Sequence, residues 1–169
     1  MSGLQRSMMR VRSVIVPAAI SKAMQAERTT RLPHETGGFL LGLRRGASIE
    51  VSEFTPQAAQ DQADGSSFER IDPEHQRRAT KAWVKANGLV GLVGDWHSHP
   101  FGTGAASRTD KSAWRALVEA MDGPGVGIIV VDDELCVFAL RDSWSGLRAE
   151  KLRLVADDQH DLVFGDHQA

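Results

Sequence analysis

The run Gly94-Asp95-Trp96-His97-Ser98-His99-Pro100 constrains the fold of this chain more than any other stretch. It continues the apolar segment Leu89 to Val93 and therefore reads as the end of a strand lying inside a sheet. Side chains alternate along a strand, so His97 and His99 project to one side while Trp96 and Ser98 face the other. Asp110 comes eleven residues after His99 and three after Ser107, the spacing of a helix N-cap and an acid in the first turn. A fold that satisfies both signals must bring the end of a buried strand against the start of a helix. Two imidazoles and a carboxylate are also the donor set of a catalytic zinc site, which keeps its fourth position for water. Such a centre retains positive charge, acidifies bound water and polarises a carbonyl. A His-Ser-His-Pro turn or a Ser-Arg-Thr-Asp capping box is ordinary by itself; the combination is the signal.

Length and composition limit the alternatives. With 169 residues, 41% of them hydrophobic, one domain can bury a sizeable core and two would be crowded. A net charge of −2 argues against a general nucleic-acid binder. Cys136 is the single cysteine, so any metal must be held by histidine and carboxylate, and a reducing cytoplasm is the expected location. No apolar run approaches the roughly 20 residues that span a bilayer, so no membrane partner is expected. Met1 to Arg12 carries three arginines without an apolar centre and does not read as a secretory signal.

Along the chain, Ser13 to Val16 reads as a strand, and Pro17 opens a helix through Ala18 to Met24. His34-Glu35-Thr36-Gly37-Gly38 leads into the buried strand Phe39 to Leu43, and the paired glycines let another backbone come close. Ser48 to Phe54 alternates and forms a hairpin with that strand across Arg45-Gly46. Pro56 to Ser67 is polar and aperiodic, the candidate for a mobile lid. Asp72 as N-cap and Pro73 at the first position start a helix that stops at Asn87-Gly88 and packs through Ala79, Ala82, Trp83 and Ala86. From Ser107 a second capped helix buries Ala113, Trp114, Leu117, Val118 and Met121. Val126 to Val131 and Leu135 to Leu140 form another hairpin, Trp144 to Leu154 adds one edge strand, and Asp157 to Ala169 is expected to fray.

A metal-bound water needs a base to take its proton and pass it to the leaving amine, and Glu35 is the candidate. Glu35 before Gly37-Gly38 and an apolar strand, then His97-Ser98-His99-Pro100, six residues, Ser107, two residues and Asp110, resembles the JAMM (MPN-plus) metalloprotease motif at every position. The resemblance runs from about Val14 to about Leu140. It implies an α/β sandwich of the MPN/JAB, cytidine-deaminase-like kind, a mixed curved sheet flanked by helices. By position, it implies that His97, His99 and Asp110 hold one zinc ion per chain. Glu35 would be the general acid/base, and Ser107 would hydrogen-bond the developing oxyanion while capping its helix. Residues 13–155 would form the catalytic domain, after an extension at 1–12 and before a polar tail at 156–169. Members with the full set hydrolyse isopeptide or peptide bonds after the C-terminus of ubiquitin-like proteins.

The stretch between Asp122 and Leu135 has no long insertion and no second zinc site, so the linkage selectivity built from such insertions is not expected. The small size resembles bacterial stand-alone members found beside activating- and conjugating-enzyme-like proteins, including CBASS-type antiphage operons. Three other readings stay open. A non-catalytic MPN scaffold is disfavoured because Glu35, His97, His99, Ser107 and Asp110 are all present. Trimming of a sulfur-carrier protein of the ThiS or MoaD kind would use the same chemistry. A RadC-like nucleic-acid role is weakened by the acidic balance and the lack of a helix-hairpin-helix signal. His34, His75, His160 and His167 show no ligand spacing and are taken as surface groups, His34 with a possible reach into the cleft.

Overall fold

In the computed structural model, residues 10–166 are described. The first nine residues of the extension and His167 lie outside that range. The chain begins with strand β1 (Ser13–Pro17), helix α1 (Ala18–Arg31) and the hairpin β2 (Gly37–Arg45) and β3 (Ser48–Phe54). A small pair, β4 (Gln62–Ala63) and β5 (Phe68–Glu69), precedes α2 (Glu74–Lys85) and β6 (Gly91–Ser98). Then come α3 (Arg108–Met121), β7 (Gly125–Val131), β8 (Glu134–Arg141), β9 (Arg148–Lys151), β10 (Arg153–Asp157) and β11 (Asp161–Gly165).

Nine strands form one mixed sheet in the order β10-β11-β1-β3-β2-β6-β7-β8-β9, and β4 and β5 pair separately. The β1/β3 and β6/β7 pairs are parallel and the other neighbours antiparallel. β7 is buried along its whole length, which its unbroken apolar run requires of a strand covered on both faces. Alternation divides its side chains. Val126, Ile128 and Val130 join the main core with Met24 of α1, whereas Ile129 and Val131 pack with Trp114 and Val118 of α3. Ala79 and Ala82 of α2 rest on Leu41, on the α3 side of the sheet.

The first and last strands of the order, β10 and β9, occupy opposite edges yet are separated in sequence only by Leu152. The sheet must therefore curl until its edges nearly meet, and Leu152 is buried in the enclosed core. Bulges in the β2/β3, β2/β6 and β10/β11 pairings supply part of this curvature. At Gly38 a Cβ would collide with the carbonyl of Thr55, so the glycine pair before β2 does permit a close approach.

The expected α/β architecture is present, with corrections to its parts. Pro17 ends β1 and flanks α1 instead of opening it, and α1 continues to Arg31, where Leu32 precedes Pro33 and takes an extended conformation. Pro73 is the residue flanking α2, while the Asp72 carboxylate accepts from the Glu74 amide. Trp83 is 55% exposed; the face α2 buries is His75, Ala79 and Ala82. Ala113 is also exposed, because Trp114, Leu117 and Val118 fill the space under α3. His75 is buried rather than a surface group, whereas His34 and His160 are exposed.

Residues 148–157 form two strands where one was expected. The segment expected to fray contains β11, which inserts between β10 and β1 and buries Phe164. It is only five residues long and sits among acids, so composition hides it. Val11, ahead of the expected start, is likewise buried in the main core.

Candidate metal centre

The C-terminal end of β6 lies between the start of β2, where Gly37 pairs with His97, and β7, where Ile129 pairs with His97. Its direction places His97 and His99 on the face covered by α3, with Trp96 turned into the opposite core. There the Nε2 atoms of the two histidines are 3.2 Å apart. Asp110 approaches from the first turn of α3, with Oδ1 3.2 Å from His97 Nε2 and Oδ2 3.6 Å from His99 Nε2. Metal–nitrogen bonds of 2.0–2.1 Å in a tetrahedral site imply donor–donor edges of about 3.3–3.4 Å. The donor atoms already form a triangle of nearly that size, so a small tetrahedral cation fits without rearranging the main chain. Among the described residues they are a group able to hold a metal ion, and Glu35 is not part of it.

Each donor is held by local chemistry. His99 Nδ1 is 2.8 Å from the Thr103 carbonyl, which can only accept, so Nδ1 carries a hydrogen and directs Nε2 to the site. The His99 amide donates to Val130 of β7. Asp110 completes a capping box: its carboxylate accepts from the Ser107 amide at 2.6 Å, and the Ser107 hydroxyl accepts from the Asp110 amide at 3.1 Å. The cap that starts α3 thus also aims a carboxylate at the histidines. Burial by itself would raise the Asp110 carboxyl, but hydrogen bonds from His97 and His99 outweigh it and hold the group well below the carboxylate range. The bond to Asp110 raises His99 against the opposing effect of burial.

Glu35 is placed by β2. The Thr36 amide donates to the Ser98 hydroxyl, the Ser98 amide returns a bond to the Thr36 carbonyl, and the Glu35 amide donates to the Asp64 carbonyl. The side chain is 8% exposed and lines the same cavity as His97 and Asp110. Burial lifts its carboxyl above the usual value, although His97 and His99 pull it down. A carboxylate beside the converging donors but outside their group is positioned to exchange a proton with a water there.

The cavity, of about 500 Å³, runs from these residues between α3 and the segment Ser66 to Ile71. Asp95 stiffens its floor, accepting from Trp114 Nε1 at 2.7 Å and pairing with Arg70, whose guanidinium lies over the Phe39 ring. His34 does not line it. The segment Pro56 to Ser67 is fastened rather than free. Asp61, its side chain fully buried, accepts from the amides of Ala58, Ile71 and Asp72 and from His75 Nε2. A mobile lid over this whole segment is therefore not what the structure contains; only its far end, Ser66 onward, forms the cavity rim.

Sequence reasoning missed Arg28, Ser98, Thr103 and the Asp61–His75 pair. Three of these act through main-chain groups, and a backbone contact leaves no residue-type pattern. Asp61 could have been suspected only as an acid in a polar segment.

A model of the prokaryotic homologues of the JAB domain matches residues 17–144. The chain is similar to proteins named CD-NTase/cGAS isopeptidase. It is 25% identical to one from Vibrio cholerae over 82% of this chain and 83% of that protein. It is 26% identical to one from Escherichia coli over 69% and 74%, and 32% identical to one from Pseudomonas aeruginosa over 49% and 52%. Among solved structures, one of a Desulfitobacterium hafniense protein covers 79% of this chain and 86% of its own, at 25% identity and a TM-score of 0.59. No helix of the described residues is long and apolar enough to cross a membrane.

Proposed function

Given that the chain belongs to the prokaryotic JAB-domain family, we propose that it is a zinc isopeptidase. It would release a ubiquitin-like or similar tail-linked protein from its conjugate. The relatives' name adds a CD-NTase or cGAS-type protein as the conjugated partner. That name, isopeptidase, also favours deconjugation over trimming of a sulfur carrier. The observation that carries the proposal is the triangle of His97, His99 and Asp110 with Glu35 in the same cavity.

His97, His99 and Asp110 would hold the zinc. When bound there, zinc supplies an acidified water and a Lewis acid for the scissile carbonyl. Glu35 would take a proton from the attacking water and deliver it to the nitrogen of the leaving lysine side chain, so that the carbonyl carbon gains an oxygen as the C–N bond breaks. The Ser107 hydroxyl accepts from the Asp110 amide and keeps its own hydrogen for the carbonyl oxygen as negative charge develops. β5 pairs with β4 on one side only, and its residues Phe68 and Glu69 line the cavity. An extended C-terminal tail can add as a strand to that free edge and present its last carbonyl to the metal site.

The test is metal analysis together with cleavage of a tail-linked conjugate. The wild-type protein should hold about one zinc per chain, and His97→Ala, His99→Ala and Asp110→Ala should each lose both zinc and cleavage. Stoichiometric zinc in all three variants would show that the ligands have been assigned wrongly.

A further inference from the structure

Arg28 is a charged residue on the buried face of α1, 5% exposed, and burying a guanidinium is costly unless its donors are met. One donor is met by an ion pair: Nη1 lies 2.7 Å from Asp132, whose side chain is 88% exposed and hence a weak partner. The other two go elsewhere. Nε donates to the His99 carbonyl at 3.2 Å and Nη2 to the Pro100 carbonyl at 3.0 Å. The residue thus spends its desolvated fork on the two main-chain groups where β6 gives way to the loop before α3.

That loop needs such an anchor. It contains Gly102 at φ +91 and Gly104, and it carries the Thr103 carbonyl that orients the His99 ring. His99 is therefore fixed at three points: its amide by Val130, its imidazole by Thr103 and its carbonyl by Arg28. Only the last of these comes from outside the sheet and the loop, reaching across 71 positions in sequence.

We infer that Arg28 is a positioning residue for the metal centre, holding His99 and the following loop so that the imidazole meets its ligand position without an ordering cost. This rests on the zinc reading above. A lysine in its place keeps the charge but provides a flexible ammonium instead of a planar fork, so it cannot serve both carbonyls and Asp132 in one geometry. Partners that orient a metal ligand are typically worth 10–100-fold in metal affinity.

The experiment is chelator competition for zinc on the purified full chain, with the melting temperature of the metal-free protein measured alongside. Arg28→Lys should bind zinc about 10–100-fold more weakly than wild type. Val14→Ala, a core change on β1 with no contact to the loop, reports what general destabilisation alone does; its zinc affinity should stay within about threefold of wild type. Zinc binding by Arg28→Lys within that same margin, or no weaker than in Val14→Ala, overturns the inference. Should Arg28→Lys not be recovered folded, Arg28→Gln serves instead: its shorter amide offers one donor nitrogen and cannot serve both carbonyls. It should weaken zinc by about tenfold or more relative to Val14→Ala, and affinity within about threefold of wild type overturns the inference. A wild-type protein that binds no zinc would instead bring down the functional proposal, and this inference with it.

Discussion

Glu35 can serve as a base only while it stays out of the ligand set, and the geometry keeps it there: it lines the cavity but is not one of the converging donors. Glu35→Gln preserves shape and removes the proton acceptor. Cleavage of a tail-linked conjugate should fall about 10²–10⁴-fold with zinc content unchanged. Near-normal turnover with metal bound would remove Glu35 from the mechanism. At this scale the site was readable because chemistry demands residue types at fixed spacing: two imidazoles on one strand face and an acid at a helix start. What holds those groups was not readable. The Thr36–Ser98 exchange and the Arg28 contacts depend on which backbones become neighbours in the sheet, a matter of topology rather than of residue type.

Between β3 and α2, one buried carboxylate organises the segment that forms the cavity rim. Burial pushes Asp61 up, but hydrogen bonds from the Ala58 and Asp72 amides and from His75 win and hold it below its ordinary value. A depressed carboxylate contributes stability that is present above its unfolded pKa, about 3.9, and is lost as pH falls through the lower folded value. Asp61→Asn should therefore cost about 2 kcal/mol at neutral pH. The loss of melting temperature on acidification below about pH 4 should also become shallower. Melting curves from pH 7 to pH 2 decide this, and two profiles that run parallel would mean Asp61 contributes nothing through its charge. The same substitution should raise KM for a tail-linked conjugate, because Asp61 holds the amide of Ile71 at the far end of the cavity rim. Polarity without periodicity hid the two-residue strand β4 inside this segment, and it says nothing about mobility. A loop fastened by one buried acid and a free loop have the same composition.

Across the whole molecule, the curled sheet separates what stabilises the fold from what performs chemistry. The side chains of the candidate metal site face α3, whereas the main core, with Val14, Val16, Trp96 and Phe164, fills the opposite face under α1. β11 illustrates the division. It lies second in the sheet order and β6 sixth, so it is joined to the site only through β1, β3 and β2. It nonetheless pairs with β1 over five residues and with β10 on its other side, and Phe164 is 5% exposed. The chain's ending could not be read from composition, because each strand has only three consecutive apolar residues set among charged ones, and β11 is fixed by pairing with β1 from the opposite end of the chain. Truncating Phe164 to alanine should leave a cavity in the main core and cost about 3–5 kcal/mol. At roughly 2–4 °C per kcal/mol for a domain of this size, melting should fall by about 6–20 °C. Zinc stoichiometry, and kcat and KM measured well below the lowered melting temperature, should match wild type, since no side chain of the metal centre touches this part of the core. A Phe164→Ala protein that melts as predicted but loses zinc or turnover in the folded state would show that the two faces are mechanically coupled, and that the curl of the sheet itself sets the spacing of His97, His99 and Asp110.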